Sequence, residues 1–149
     1  MTATPPIDAL RAAAARVLGP TGILAAYAHG SRIGGRPNQR SDLDVGYYLR
    51  RGAAALSLRD ELRLETALTD AVGVTVDLRD VGDAPLDLRG RILEDGVRIY
   101  SGDDVARVAL ERELLARYHD YKGELRAMHE TRLRVVAARG LSPERPGRG

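Results

Sequence analysis

Apolar residues recur along this chain with two periods, and the switches between them divide it into alternating helical and extended stretches. Residues 7–18 keep their apolar positions on one helical face and stop at Gly19-Pro20, a helix end. Residues 23–29, Ile-Leu-Ala-Ala-Tyr-Ala-His, are apolar almost throughout and predict a buried strand that closes at Gly30, where the backbone turns without a Cβ penalty. Residues 42–49 alternate, so Leu43, Val45 and Tyr47 share a core face while Asp42 and Asp44 project from the other. Ser57, with Asp60 three residues on, opens a capping-box helix over 57–72 that presents Leu58, Leu62, Leu68 and Val72 and crosses between two strands. Residues 74–81 read as a strand with Val74, Val76 and Leu78 on one side and Thr75 and Asp77 on the other. A third helix is expected over 86–94, with Asp83 and Asp87 as loop and helix-capping acids, then a short strand over 97–100. Asp103 begins a helical stretch expected to run, with a break, to about Arg139, and the Pro- and Gly-rich residues 141–149 read as a disordered tail.

Helices interleaved with strands in this order predict an α/β (α+β) fold, a small mixed sheet flanked by helices, with a C-terminal helical segment from about residue 103. A chain of 149 residues can bury one core, and a single domain over 1–140 is expected. The absence of cysteine excludes a disulfide framework and a thiolate metal site. The first residues lack a charged region followed by an apolar core, and no apolar run approaches a membrane span, so a cytoplasmic protein with no membrane partner is expected. The net charge of +2 and a single lysine, Lys122, argue against direct nucleic-acid binding.

The candidate chemistry lies in residues 28–46, where Gly30-Ser31 precedes Asp42-Leu43-Asp44 across a loop rich in turn formers. Free backbone N–H groups after Gly30, with the Ser31 hydroxyl and the Arg32 guanidinium, suit the phosphates of a nucleotide. Asp42 and Asp44 stand roughly 6.5 Å apart along one strand face, and carboxylates that close repel unless a cation sits between them. Either half alone is bland: a Gly-Ser pair is a common turn, and an Asp-x-Asp is often a solvated strand start. Their conjunction at this spacing carries the reading. Divalent cations that also keep phosphate and water ligands need a further carboxylate, and Asp77 has the right parity where Asp80 does not.

With Gly30-Ser31, the gap to Asp42-x-Asp44 and a later strand aspartate, Asp77, the chain resembles the nucleotidyltransferase superfamily related to DNA polymerase beta. The closer resemblance is to the minimal nucleotidyltransferases (MNT), antitoxins paired with HEPN-domain toxins. Val76-Asp77-Leu78, the stretch from Leu88 to Gly96, and Tyr118 to Lys122 in the final helix extend the similarity over nearly the whole chain. Two positions depart from the pattern: His29 stands where an apolar or aromatic residue is expected, and Ile33-Gly34-Gly35 replaces a small basic turn. The resemblance implies a polymerase beta-like fold, two Mg²⁺ ions held by Asp42, Asp44 and Asp77, and ATP bound at Gly30, Ser31 and Arg32. It also implies AMP transfer to a tyrosine hydroxyl of a cognate HEPN ribonuclease toxin, within a hetero-oligomeric complex, with Asp77 taking the hydroxyl proton.

Two rivals stand beside that reading. One is an antitoxin that acts by binding alone; the other keeps the chemistry but transfers to an antibiotic or RNA hydroxyl. Residues 112–121 also spell an Arg, six residues, a His and then Tyr121, a pattern like that of HEPN ribonucleases themselves. The strand-rich span 23–100 argues against a helical toxin, and Arg112, Tyr118, His119 and Tyr121 are expected simply to line a terminal helix.

Overall fold

A computed structural model describes residues 5–30 and 43–140 of the chain. The helices are α1 (Ile7–Leu18), α2 (Leu58–Val72), α3 (Leu86–Asp95) and α4 (Asp104–Ala138), and the strands are β1 (Ile23–His29), β2 (Leu43–Leu49), β3 (Val76–Asp80) and β4 (Val97–Ser101). The strands form one sheet in the order β3-β2-β1-β4. Strand β1 is antiparallel to both β2 and β4, whereas β2 and β3 run parallel, joined by the α2 crossover. The mixed sheet flanked by helices expected from the periodicity is therefore present.

Strand parity divides the core in two. Leu43, Val45, Tyr47, Val76 and Leu78 join Leu10, Ala13, Ala14 and Leu18 of α1 and Leu68 of α2 in one apolar cluster. On the opposite face Ala25, Tyr27 and Tyr48 pack with Ile92 of α3 and Leu114 of α4. Both faces of β1 are covered, which is why its burial is unbroken from Ile23 to Ala28. Tyr27 and Tyr48 meet edge to face with centroids 6.1 Å apart. The Tyr27 hydroxyl donates to Glu111 Oε2 at 2.6 Å, and Arg107 Nη1 donates to the other oxygen of that carboxylate at 2.8 Å, tying α4 to the sheet.

Helix α2 starts where the capping box placed it: the Ser57 hydroxyl accepts from Asp60 N at 3.1 Å. Asp103 caps α4 in the same way, accepting from Ala106 N. Three local expectations need correction. The C-terminal stretch has no break: α4 is a single helix of 35 residues that runs through Gly123. A lone glycine weakens a helix by only about 1 kcal/mol, which its neighbours absorb. Helix α3 has Pro85 rather than an acid at its N-cap, with no side-chain cap, and Asp87 lies in its first turn. Strand β3 is shorter than expected, ending at Asp80, whose carboxylate accepts from Gly82 N to form the following turn. Residues 141–149 lie outside the described residues.

Candidate active site

The site is assembled by register across three strands. Antiparallel pairing sets His29 opposite Asp44, and parallel pairing sets Asp44 beside Asp77, so the three side chains form a row across β1, β2 and β3. By parity the row occupies the face covered by α3 and α4 further along the same strands, where Tyr27 and Tyr48 are buried. All three row residues are half-buried. Adjacent strands lie about 4.8 Å apart, which puts the Asp44 and Asp77 carboxylates within reach of one bound cation.

Each position has a local cause. Asp77 sits on an edge strand whose outward N–H groups are met by α2: Thr69 Oγ1 accepts from Val76 N at 2.9 Å and Glu65 Oε2 from Leu78 N at 2.7 Å. These bonds close the exposed edge and fix the peptide on either side of Asp77. Its own carboxylate accepts from Arg79 Nε at 3.0 Å in a solvent-exposed pair. At Gly30 the backbone is left-handed, with φ +97, and a Cβ there would lie 2.5 Å from Asp44 Oδ2. Both constraints require glycine at the end of β1. His29 is held below its usual pKa because burial of the ring outweighs the attraction of Asp44 and Asp77 for a proton, so the imidazole is neutral at pH 7.

Of the residues singled out in the sequence, Gly30, Asp44 and Asp77 converge here. Ser31, Arg32 and Asp42 lie outside the described residues, as does the turn expected after Gly30. Among the described residues no group of three or more His, Asp or Glu is arranged as a metal site. The donors that do converge are carboxylate oxygens, the chemistry that suits a hard divalent cation such as Mg²⁺. His29 joins the row through a pairing of strands that local spacing does not reveal. His119, by contrast, is on the surface of α4, its Nε2 3.0 Å from Glu94 Oε2, and that contact leads the influences holding Glu94 below the usual carboxylate range. Tyr118 is buried against Gly90 of α3, where a Cβ would collide with its ring. The Arg112-to-Tyr121 pattern is thus split between packing and surface.

A cleft of about 880 Å³ opens at the other end of the sheet, lined by Tyr48, Arg50, Arg51, Asp80, Asp103 and Glu113 among others. Tyr48 stands four residues along β2 from Asp44 and Asp80 three along β3 from Asp77, so about 10–13 Å of strand lies between the cleft lining and the carboxylate row.

The model of the family described as "Polymerase beta, Nucleotidyltransferase" matches residues 17–105, a span that holds both carboxylates and the Gly30 turn. The chain belongs to this nucleotidyltransferase family. No curated protein sequence matches it. Among solved structures, the nucleotidyltransferase is similar to a chain of a toxin–antitoxin crystallised with AMP-PNP, with a TM-score of 0.57 and 18% identity over 85% of this chain and 98% of that one. It is also similar to a chain of the tri-AMPylated Shewanella oneidensis HEPN toxin in complex with MNT antitoxin, with a TM-score of 0.57 and 16% identity over 86% and 99%. At these identities the likeness is one of fold. Among the described residues no helix is long and apolar enough to cross a membrane.

Proposed function

We propose that this nucleotidyltransferase is an antitoxin that transfers AMP from ATP to a tyrosine hydroxyl of a cognate HEPN toxin and silences it. The observation that carries the reading is the cross-strand pairing of Asp44 with Asp77 beside the left-handed Gly30, inside the span matched by the family. The toxin–antitoxin neighbours, one with an ATP analogue and one with an AMPylated toxin, supply the donor and acceptor classes.

Asp44 and Asp77, with Asp42, would hold Mg²⁺, which when bound neutralises the charge of the triphosphate and of the attacking oxygen. Ser31, Arg32 and the backbone after Gly30 would grip the phosphates. In the transfer the tyrosine oxygen forms a bond to the α-phosphorus, the α–β anhydride breaks, and pyrophosphate leaves. Asp77, at the outer end of the row, would accept the hydroxyl proton. The neutral imidazole of His29 adds no positive charge to compete with metal for these carboxylates. An added phosphodiester on the toxin would oppose RNA by bulk and negative charge.

The test is to incubate the purified chain with Mg²⁺, the product of the adjacent gene, and ATP labelled at either the α- or the γ-phosphate. The reading expects α-label on the partner, no γ-label, and loss of labelling with a chelator. Label from the γ-position would identify phosphoryl transfer instead. A stable complex without label would support inhibition by contact, and label on RNA or a small hydroxyl compound would replace the acceptor.

A further inference from the structure

Helix α4 is packed along only part of its length. It starts just after Ser101 pairs with Ala25, at the end of the sheet away from the carboxylate row, and its buried residues are Arg107, Leu114 and Tyr118. At His119 and Lys122 it meets Glu94 in the last turn of α3, with His119 Nε2 3.0 Å and Lys122 Nζ 3.7 Å from that carboxylate. Two residues beyond Glu94, a Cβ at Gly96 would stand 3.5 Å from His29 Cβ. The helix therefore leaves the domain at the end of the sheet that holds the row. Residues 123–135 are all exposed, and the segment 123–138 extends about 24 Å at the usual rise per residue. This length gains nothing from the domain's core, and in proteins most helical stability comes from packing an amphipathic face.

Such a face is present, and it is cationic as well as apolar. At about 100° per residue, Tyr121, Leu125, Leu133 and Val136 share one arc of roughly 140° with Lys122, Arg126, His129, Arg132 and Arg139. The acids of the segment, Asp120, Glu124 and Glu130, stand outside that arc, and Glu130 is paired with Arg134 at 3.9 Å. Lys122 turns to Glu94, but Arg126, Arg132 and Arg139 make no ion pair among the described residues. Tyr121 is 38% exposed, Leu125 47% and Leu133 42%. The complement of this face is an apolar groove that takes Leu125 and Leu133, with carboxylates along its rim to meet the guanidinium groups. A second copy of the same face would set cations against cations, and a nucleic-acid backbone would meet the arginines but leave the leucines uncovered.

We infer that the projecting half of α4 is the docking surface for the acceptor protein, a partner with an acid-rimmed apolar groove, and that it holds the acceptor hydroxyl beside Asp44 and Asp77. Docking there rests on the transfer to a partner protein proposed above.

The test follows labelling of the adjacent gene's product from α-labelled ATP and Mg²⁺ over a range of partner concentrations, with binding of the same partner read separately by co-elution. Arg126→Glu/Arg132→Glu is expected to raise the half-saturating partner concentration by about tenfold while the saturated rate stays near that of the parent chain. Its helical circular dichroism is expected to be retained, because both positions are exposed. Arg126→Lys/Arg132→Lys is expected to restore most of the affinity, and added salt to weaken binding of the parent chain more steeply than that of the glutamate variant. The same concentration dependence in the glutamate variant and the parent chain would overturn the docking surface and leave the transfer reaction standing. Binding that the glutamate variant loses, with no label from the parent chain, would keep the surface as the partner's seat and overturn the transfer reaction. A parent chain that neither binds nor labels the partner would overturn both. A two-chain mass for the parent chain alone, lost in the glutamate variant, would give the face to a second copy and overturn the inference as well.

Discussion

The two faces of the sheet are built from the same strands and do different work. On the α1/α2 face, Leu43, Val45, Tyr47, Val76 and Leu78 are buried among aliphatic side chains. On the other face the neighbouring residues, Asp44 and Asp77, are half-buried carboxylates in a row with His29, and only the far part of that face is closed by α3 and α4. Of two adjacent residues of β2, Leu43 lies in the core and Asp44 in the row to which the proposed function assigns the chemistry. The period-2 geometry of a strand separates the roles, so a substitution on one face is expected to leave the other nearly untouched.

The largest break of this division is chemical. Asp44→Asn and Asp77→Asn are each expected to abolish nucleotidyl transfer to the background rate, while the melting midpoint stays the same or rises as like-charge repulsion in the row is relieved. A loss of folding in either variant, seen by thermal denaturation, would contradict the separation. On the opposite face, Leu78→Ala removes a fully buried side chain. It is expected to cost about 2–5 kcal/mol in denaturant unfolding, with transfer per folded molecule unchanged.

Gly30→Ala couples the faces. The left-handed backbone and the 2.5 Å approach to Asp44 Oδ2 both resist a Cβ. A cost of roughly 1–3 kcal/mol is expected together with weakened transfer, measured by denaturation and by labelling. Smaller still is Tyr27→Phe, which leaves Glu111 paired with Arg107 and removes one hydroxyl bond. About 1 kcal/mol of stability should be lost, with transfer intact.

The smallest effect is the pH response of His29. Its folded pKa lies below 6.5 because the ring is buried, so as pH falls through 6.5 the unfolded chain takes up the proton first and stability declines until the folded value is passed. Unfolding in denaturant with a chelator, compared between about pH 7.5 and about pH 5, should show a shallower decline for His29→Gln than for the parent chain.

Much of this architecture is legible in the sequence because local signals agree with the fold. Ser57 and Asp103 carry caps that form, and the alternation in 43–49 places Asp44 opposite Leu43 before any coordinates are known. What local signals miss is register. Nothing near residue 77 says that it lies beside Asp44, or that His29 closes the row from the other strand; those facts belong to long-range pairing. The uninterrupted α4 was hidden for a related reason. A break is expected between Asp103 and Arg139, but the helix is continuous, Gly123 included, and is anchored upstream by Leu114 and Tyr118. Pro85 at the start of α3 shows the same limit on a smaller scale, since nearby acids suggest a cap that the backbone does not use.

The central claim is that the Asp44 face transfers AMP to a partner protein. Its most direct test is the intact mass of the adjacent gene's product after incubation with Mg²⁺, ATP and either the parent chain or Asp44→Asn, with melting and co-elution of the variant checked in parallel. The account predicts one or more whole AMP additions with the parent chain and none with the variant, although both fold and both are tested for binding the partner. Equal modification by the variant, or a partner silenced by the parent chain with no added mass, would contradict it.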